Sequence, residues 1–351
     1  MRRSFISVAT VAILLSSAFA MRVLINVDWD VTVFSAFGER AFSTTQYAEE
    51  RLGEVYLRPD LGHDGKFFFV QANDPWVLDP EENIMVVDRP LYRSQRMFYP
   101  LIAGGGGLLG PEAIVWAMLI VNLLAMGLGT WAVAQIATEM GGSPWWGLAF
   151  VLNIGFVSEM NIGAAGVVAG AAAFGSVAMW MRSRTAWAVT LMTVAVLSRE
   201  AMLLAALGTS WWLWKKGERR KAILATSVPA ASAALWALYL RTIIDSGTGG
   251  ERIEEIGFPF VGFVQAFESW LGDPIDLAVG VAMMLLFVLF IRRVAMSGDM
   301  VGWAFVGFVA LAILFTEQVW RSYFNITRAI APVITAFVLL VFVSSRTEEG
   351  V

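Results

Sequence analysis

The residues best suited to chemistry are concentrated in one polar island, residues 28–96, which follows the first apolar segment. The island contains 13 of the 29 acidic residues and the only histidine, His63. The rest of the chain is a nearly continuous series of apolar segments. A protein that needed only to sit in lipid would have no use for a 69-residue acidic insert at this point. We therefore expect the chemistry to lie in the island.

Within the island, the stretch His63–Phe69 couples a carboxylate, Asp64, to a glycine and three consecutive phenylalanines, and Asp74-Pro75 follows. A glycine beside the acid lets the backbone approach a bulky ligand, and the aromatic run is suited to docking on a membrane surface. The alternative interpretation of the same spacing is a turn that leads into an amphipathic helix.

Other charged residues, inside and outside the island, form three further candidates. Asp28-Trp29-Asp30 lies where the first apolar segment ends, and its two carboxylates are suited to a divalent cation such as Mg²⁺ or Mn²⁺. The alternative there is a solvated helix end. Arg199-Glu200 interrupts an apolar hairpin, where a charged pair is costly unless it is functional or paired with a neighbouring helix. Arg93 and Arg96 are one helical turn apart, so both could face one headgroup.

The composition indicates a polytopic membrane protein of the all-α class. Of the 351 residues, 58 % are hydrophobic and 15 % are charged, and the mean hydropathy is +0.66, which leaves too little polar surface for a water-soluble globule. Apolar segments of about 20 residues, enough to cross about 30 Å of hydrocarbon, recur along the chain. No barrel-like alternation occurs, so we expect helices, in a single membrane domain over residues 1–351.

Several kinds of site are excluded. The chain has no cysteine, which rules out disulfides, thiolate metal sites and a cysteine nucleophile. One histidine is too few for a multi-histidine zinc site. The glycines at 104–107 are not followed by Lys-Ser/Thr, so they do not form a Walker loop. The basic groups are short and dispersed, so we expect no nucleic-acid partner.

The basic clusters predict the topology. Lys and Arg collect at 2–3, 182–184, 215–221 and 292–293, which the positive-inside rule places in the cytoplasm together with the N-terminus. Roughly 10–11 membrane segments then alternate across the bilayer. The polar stretches 28–96, 198–200, 244–274 and 317–328 all fall on the extracytoplasmic face. For the basic clusters to stay on the cytoplasmic side, 97–109 must be a re-entrant half-helix that does not cross the bilayer. The alternative is a short true span.

Three smaller points concern the first segment, the glycines at 163–175 and the stretch 258–270. Residues 5–27 are interpreted as a retained first span, with a cleaved signal peptide ending at Ala20 as the alternative. We interpret the glycines at 163, 166, 170 and 175 as close helix packing, against a substrate groove lined by backbone. The stretch 258–270 is expected to form a short helix on the membrane surface.

The order of these motifs resembles that of the bacterial branch of the GT-C integral-membrane glycosyltransferases. The stretch His63–Phe69 is similar to the family's Tyr-Asp-Gly-Gln-Phe-Tyr phrase, and Asp74-Pro75 to its downstream Asp-Pro. Tyr92-Arg93-x-x-Arg96-x-x-Tyr99-Pro100 resembles the phrase that leads into the next helix. The Arg-Glu phrase at 199–200 and, more weakly, the segment 325–332 also match.

The resemblance implies transfer of a sugar from a polyprenyl-phosphate donor to a lipid or glycan acceptor on the outer face of the membrane, with inversion. This sequence departs from the family pattern at several points. His63 stands for the usual tyrosine and Lys66 for a glutamine. Asp28-Trp29-Asp30 stands where a paired Asp-Glu motif is expected. Residues 1–351 contain no counterpart of the soluble C-terminal domain of larger relatives, so we expect the loops to recognise the acceptor.

Such a transfer needs a carboxylate to take the acceptor proton and cations to hold the departing phosphate. Asp64 is the candidate base, with Asp28 or Asp30 as rivals. Arginine suits the phosphate because its planar fork donates two hydrogen bonds and keeps its charge. The candidate phosphate ligands are Arg199, Arg93, Arg96, Arg321 and Arg328, and the supporting residues are His63, Asp74 and Glu200.

Two other classes of function use the same features. A lipid or lipid-linked-sugar transporter would place Arg199 and Glu200 on its translocation path, although the sequence shows no inverted repeat. A non-catalytic membrane protein with the same architecture is the third possibility, because a fold alone never proves activity.

Overall fold

The computed structural model describes residues 2–244 and 256–343, and every regular element in that part of the chain is a helix. The helices from the N-terminus through the island are α1 (Arg2–Ile25), α2 (Phe42–Leu52), α3 (Gly65–Asn73), α4 (Pro80–Val86), α5 (Pro90–Arg93) and α6 (Phe98–Gly104). The next are α7 (Pro111–Glu139), α8 (Leu148–Val151), α9 (Ile154–Asn161), α10 (Gly166–Met181), α11 (Thr185–Ser198), α12 (Leu203–Lys215) and α13 (Arg219–Ile243). The last are α14 (Val261–Trp270), α15 (Pro274–Ser297), α16 (Met300–Leu314), α17 (Glu317–Trp320), α18 (Tyr323–Ala329) and α19 (Ala331–Phe342).

Four helices in the described residues are long and apolar enough to cross a membrane: α1, α7, α13 and α15. Helices α18 and α19 meet at a bend of 68° and count as a fifth span if they are taken together. The chain is therefore a multi-pass helical membrane protein. The remaining apolar helices are shorter, and α10 with 16 residues extends only about 24 Å. The predicted total of 10–11 membrane segments thus depends on these short helices and stays a prediction.

Helix α1 packs along α7 within the bundle. At the closest point, a Cβ on Gly127 of α7 would lie 2.6 Å from the side chain of Ile13. Val8, Ala12 and Leu24 on the same face of α1 are buried. The first apolar segment is in this way part of the packed helical bundle.

The apolar segment 144–160 is broken into the turn Pro144–Gly147 and the helices α8 and α9. The break is at Asn153, whose side-chain oxygen accepts the Gly155 N–H at 2.9 Å. Its amide also donates to the Ala331 carbonyl at 2.7 Å. Asn153 thus starts α9 and fixes it to α19. This break brings Glu159, near the end of α9, into the protein interior.

The segment 97–109 forms α6 and a 3₁₀ turn, Gly105–Leu109, and the chain then turns directly into α7. Two glycines of this segment permit close contacts with neighbouring elements. A Cβ on Gly104 would lie 2.5 Å from the Ala72 carbonyl oxygen, and one on Gly106 would lie 2.6 Å from that of Ala113. The segment is therefore a short helix against α3 and the start of α7, below the length of a full span.

The island shares one continuous hydrophobic core with the membrane helices. Phe67, Phe68 and Phe69 are 6 %, 3 % and 0 % exposed. Phe68 makes an edge-to-face contact with Tyr99 at 5.3 Å between ring centroids, and Phe69 contacts Phe37 at 5.6 Å. The expectation that this aromatic run docks on the membrane surface is wrong. All three rings are consecutive on a short helix that is surrounded by protein, so they anchor α3 in the core.

All four glycines at 163, 166, 170 and 175 pack closely, as expected. A Cβ on Gly170 would lie 2.5 Å from the Phe156 ring, and one on Gly163 would lie 2.4 Å from the Phe34 carbonyl oxygen. Gly175 faces Leu191 at 3.2 Å. The fourth, Gly166, faces the carboxylate of Glu159, which is described with the site below.

The loop expected at 244–274 is described from residue 256 onward, and its glycines and acids at 247–255 lie outside the described residues. Helix α14 forms within the stretch predicted to be helical. Its Gly262 fits against the Phe315 carbonyl, while Val261, Val264 and Phe267 are 44 %, 64 % and 44 % exposed. An exposed apolar face on a short helix is typical of a helix at a membrane surface.

Candidate functional site

Asp64 lies at the N-terminus of α3, with both of its carboxylate oxygens bonded to arginines. Arg93 Nη1 donates to Oδ1 at 2.7 Å, and Arg328 Nη2 donates to Oδ2 at 3.0 Å. The neighbouring glycine makes this position possible, because a Cβ on Gly65 would lie 2.2 Å from the Ile162 carbonyl oxygen. The structure thus joins the island to a residue 264 positions further along the chain.

The electrostatics of Asp64 follow from this pairing. Burial by itself would raise the pKa of the carboxyl, but the positive charges of Arg93, Arg328 and Arg96 outweigh it and hold the pKa below its ordinary value. Asp64 is therefore ionised. As long as both arginines remain bound to it, it is a weak proton acceptor.

A second carboxylate, Glu159 of α9, lies on the other side of Arg328. Its Oε1 accepts from Arg328 Nε at 3.1 Å and from Arg199 Nη1 at 3.3 Å, and its side chain is only 3 % exposed. An alternating series of charges thus runs from Arg93 through Asp64, Arg328 and Glu159 to Arg199. The sequence interpretation did not include Glu159. The signal was present, because Glu159 is the only acid between Glu139 and Glu200 and lies in an apolar stretch.

Glu200 pairs with Arg96 and not with its neighbour in sequence. Arg96 Nε and Nη2 donate to the two carboxylate oxygens at 3.0 and 2.8 Å, and Arg96 also donates to the Tyr92 hydroxyl. Burial would raise the pKa of Glu200, but the Arg96 charge lowers it to about 2. The Arg199-Glu200 phrase is therefore split between two partners, α9 and the segment before α6. Both residues of the phrase are therefore paired with charged side chains of neighbouring elements.

These groups surround a small cavity of about 20 Å³, which is room for about one water molecule while the arginines and carboxylates remain paired. Its lining consists of Asp64, Phe68, Arg96, Glu159, Ala164, Ala165, Gly166, Ser198, Arg199 and Arg328. With Arg93 and Glu200 at the margin, four arginines here face three carboxylates. Arg93 also bonds to Asp88, whose side chain is 56 % exposed and thus screened by solvent. The arrangement suits an anion that can compete with the carboxylates for the arginines.

The other predicted residues are divided between the site and the surface. His63 lies at the edge of the site, with its ring 5.2 Å from that of Phe324. Burial, and then the charges of Arg328 and Arg58, lower its pKa, so it is neutral at pH 7. Arg321 is 63 % exposed and pairs with Glu317 one turn away.

Asp74, Asp28 and Asp30 have local structural contacts. Asp74 accepts the Asp79 N–H at 2.8 Å and closes a turn. Asp30 accepts from the backbone and the hydroxyl of Thr32 at 2.9 and 2.6 Å, so it caps the 3₁₀ turn Val31–Ser35. Asp28 is exposed. None of these three residues lines the cavity. In the part of the chain that the structure describes, no group of three or more His, Cys, Asp or Glu side chains is placed to hold a metal ion.

No protein-family model, curated protein or solved structure matches this chain. The function therefore has to be argued from the geometry of the arginine and carboxylate cluster and from the motifs that form it.

Proposed function

We propose that this chain is a membrane glycosyltransferase of the GT-C type, which moves a sugar from a polyprenyl-phosphate donor to a lipid or glycan acceptor with inversion. One observation carries the proposal. Four separate polar stretches, at residues 64, 93–96, 199–200 and 328, converge on one cavity. They supply a carboxylate and several arginines, which are the groups that such a transfer needs.

The proposed reaction assigns each group a task. The acceptor oxygen forms a bond to the anomeric carbon of the sugar, and the bond from that carbon to the phosphate oxygen breaks with its electron pair. The acceptor proton passes to the Asp64 carboxylate. Polyprenyl phosphate leaves with its negative charge held by Arg199 and Arg328. Because attack and departure occur on opposite faces of the sugar, the configuration inverts.

The pairing of Asp64 links donor binding to base strength. In the absence of donor, both of its oxygens are bonded to arginines. A phosphate that draws Arg328 toward itself removes one of these positive partners, and the proton affinity of Asp64 then rises. On this proposal, Asp64 becomes an effective base only after the donor has bound.

The proposal places the cavity on the extracytoplasmic side. The basic clusters at 182–184 and 215–221 follow the ends of helices α10 and α12, whereas the cavity residue Arg199 lies between α11 and α12. The positive-inside rule assigns the clusters to the cytoplasm and hence the cavity to the opposite face.

The arginines supply the positive charge at the phosphate. Transfer assays with and without EDTA test whether a divalent cation is also required.

The experiment is incubation of the purified protein with a panel of radiolabelled polyprenyl-phosphate sugars, followed by measurement of donor consumption and product formation. Asp64→Asn keeps the shape but removes the proton acceptor, so turnover should fall by about 10² to 10⁴ while donor binding survives. Asp60→Asn is the matched control, because the Asp60 side chain is exposed, does not line the cavity and accepts the Gly62 N–H. If Asp64→Asn transfers normally and Asp30→Asn does not, the base lies at Asp30. Normal transfer by Asp64→Asn, Asp28→Asn and Asp30→Asn alike rejects the mechanism.

A lipid-linked-sugar transporter remains the second candidate because of one feature. Arg328 lies directly before the break between α18 and α19, and ionisable groups beside broken helices are common at transport sites. Proteoliposomes loaded with labelled donor separate the two functions. Movement of the intact donor across the bilayer without hydrolysis or transfer supports transport, whereas consumption of the donor supports the transferase.

A further inference from the structure

Glu159 is the most buried charged group in the cluster, and each of its oxygens is used. A carboxylate with 3 % exposure is costly unless its partners compensate it. Oε1 accepts from two arginines, and Oε2 accepts the backbone N–H of Gly166 at 3.1 Å. The carboxylate is therefore held from one side by the backbone of α10 and directs its other oxygen toward the guanidinium groups.

The partners of Glu159 come from three different elements. Arg199 follows α11, Arg328 is in α18, and Gly166 is the first residue of α10. One carboxylate oxygen thus accepts from two guanidinium groups that lie 129 residues apart in the chain. Arg199 also donates a long hydrogen bond, 3.4 Å, to the Arg328 carbonyl. In the described part of the chain, Arg199 uses only Nη1, so its Nε and Nη2 are left to donate to a ligand in the cavity.

Gly166 is required for this arrangement. A Cβ at this position would lie 2.5 Å from the carboxylate of Glu159. A side chain larger than hydrogen therefore pushes the carboxylate away from the N–H that holds it. This contact provides a way to move Glu159 without changing any charge.

We infer that Glu159 is a positioning residue, which orients Arg199 and Arg328 so that both donate to one phosphate group of a lipid phosphate in the cavity. The inference rests on the proposed function for the identity of the lipid phosphate, and it assigns a task to a residue outside the reacting groups. Glu159 acts through the two arginines and does not touch the ligand.

The alternative role, charge compensation alone, predicts the opposite sign. If Glu159 only neutralised the arginines, removing its charge would make the cavity more positive and tighten the binding of an anion. If Glu159 positions the arginines, its loss lets the guanidinium groups separate, and the anion binds more weakly. Residues that orient the ligands of a metal site are typically worth about tenfold to a hundredfold in affinity, and we expect the same order of magnitude for a residue that orients phosphate ligands.

The experiment measures the dissociation constant of farnesyl phosphate, a short polyprenyl monophosphate, for the full-length protein in detergent, with farnesol as the uncharged reference. The variants are Glu159→Gln and Gly166→Ala. Glu139→Gln is the matched control, because it removes the partner of an arginine, Arg182, that does not line this cavity. The unfolding temperature of each variant is recorded alongside, and Gly166→Ala alone decides if Glu159→Gln does not fold.

We expect farnesyl phosphate to bind about tenfold or more weakly to both variants, with no change for Glu139→Gln and none for farnesol. The inference is overturned if the variants bind farnesyl phosphate as tightly as the wild type or more tightly. It is also overturned if the wild type binds farnesyl phosphate no more tightly than farnesol. A protein that shows the Glu159-dependent binding but transfers no sugar retains the positioning role and loses the proposed transferase function. The two proposals therefore fail separately.

Discussion

The ion pair between Arg96 and Glu200 ties the α11–α12 turn to the segment before α6, and its loss should have a measurable cost. The pair has two hydrogen bonds, at 3.0 and 2.8 Å, and the side chains are 13 % and 36 % exposed. Since Arg199 precedes Glu200 in the chain, this pair also determines where the turn presents Arg199 to the cavity. The perturbation is Glu200→Gln, which removes the charge with little change in shape.

The size of the effect follows from the pKa of Glu200, about 2 against an ordinary value of 4.5. At about 1.4 kcal/mol for each tenfold change in proton affinity, the difference sets an upper limit of about 3.4 kcal/mol. More than a third of the Glu200 side chain is exposed, so solvent screens part of this interaction. We expect the pair to contribute about 1 to 2 kcal/mol to the free energy of unfolding.

The sign of the pH dependence is also determined. Because the folded state lowers the pKa of Glu200, the pair stabilises fully above the unfolded value of about 4.5, and its contribution is lost as the pH falls toward about 2. Between these pH values the wild type should lose more stability than Glu200→Gln does.

The assay is a double-mutant cycle with Arg96→Gln and Glu200→Gln, measured by denaturant unfolding in mild detergent. The pair Arg51 and Glu82 is the control. It has one hydrogen bond at 2.8 Å and side chains that are 30 % and 36 % exposed, so its coupling should not exceed about 0.5 kcal/mol. If the coupling free energy of Arg96 and Glu200 is no larger than that of the control pair, burial of Arg96 and the second hydrogen bond do not strengthen the ion pair.

Further predictions concern sidedness, packing and titration. An impermeant thiol reagent should label Glu54→Cys from the extracytoplasmic side and Glu218→Cys only from the cytoplasmic side, and the reverse pattern rejects the topology. Gly170→Ala should lower stability by about 1 to 3 kcal/mol because the new methyl group meets the aromatic ring of α9, whereas Gly105→Ala, with open space around it, should be close to neutral in the same unfolding assay. His63 should titrate below its ordinary pKa of 6.5 because burial and nearby arginines disfavour its charged form. As the folded state resists this protonation, stability should fall as the pH drops below about 6.5, and NMR of the only histidine reads the pKa directly.

The charged residues of the site were predictable to a large extent. Arg199 was identified because a charge in an apolar hairpin is costly unless it has a task, Asp64 from the motif at His63–Phe69, and Arg328 as a candidate phosphate ligand. The structure brings all three to one cavity. Arg321 has the same residue type and a similar place in the chain as Arg328, yet it is exposed and pairs within its own turn. Sequence spacing does not distinguish these two arginines, because the difference is that Arg328 contacts Glu159 of α9 in the folded protein and Arg321 does not.

The membrane character and the helical class follow from composition and segment length, because backbone groups in lipid must be satisfied within each segment. Those properties belong to the sequence alone. The partners of each charge were decided only by the tertiary structure. Glu159 reaches Arg328 across 169 residues, and Glu200 reaches Arg96 across 104. The burial of the rings at 67–69 within the protein has the same origin, since it depends on Tyr99 and Phe37 from other elements. Contacts of this range depend on how the helices pack, and no local pattern of residues records them.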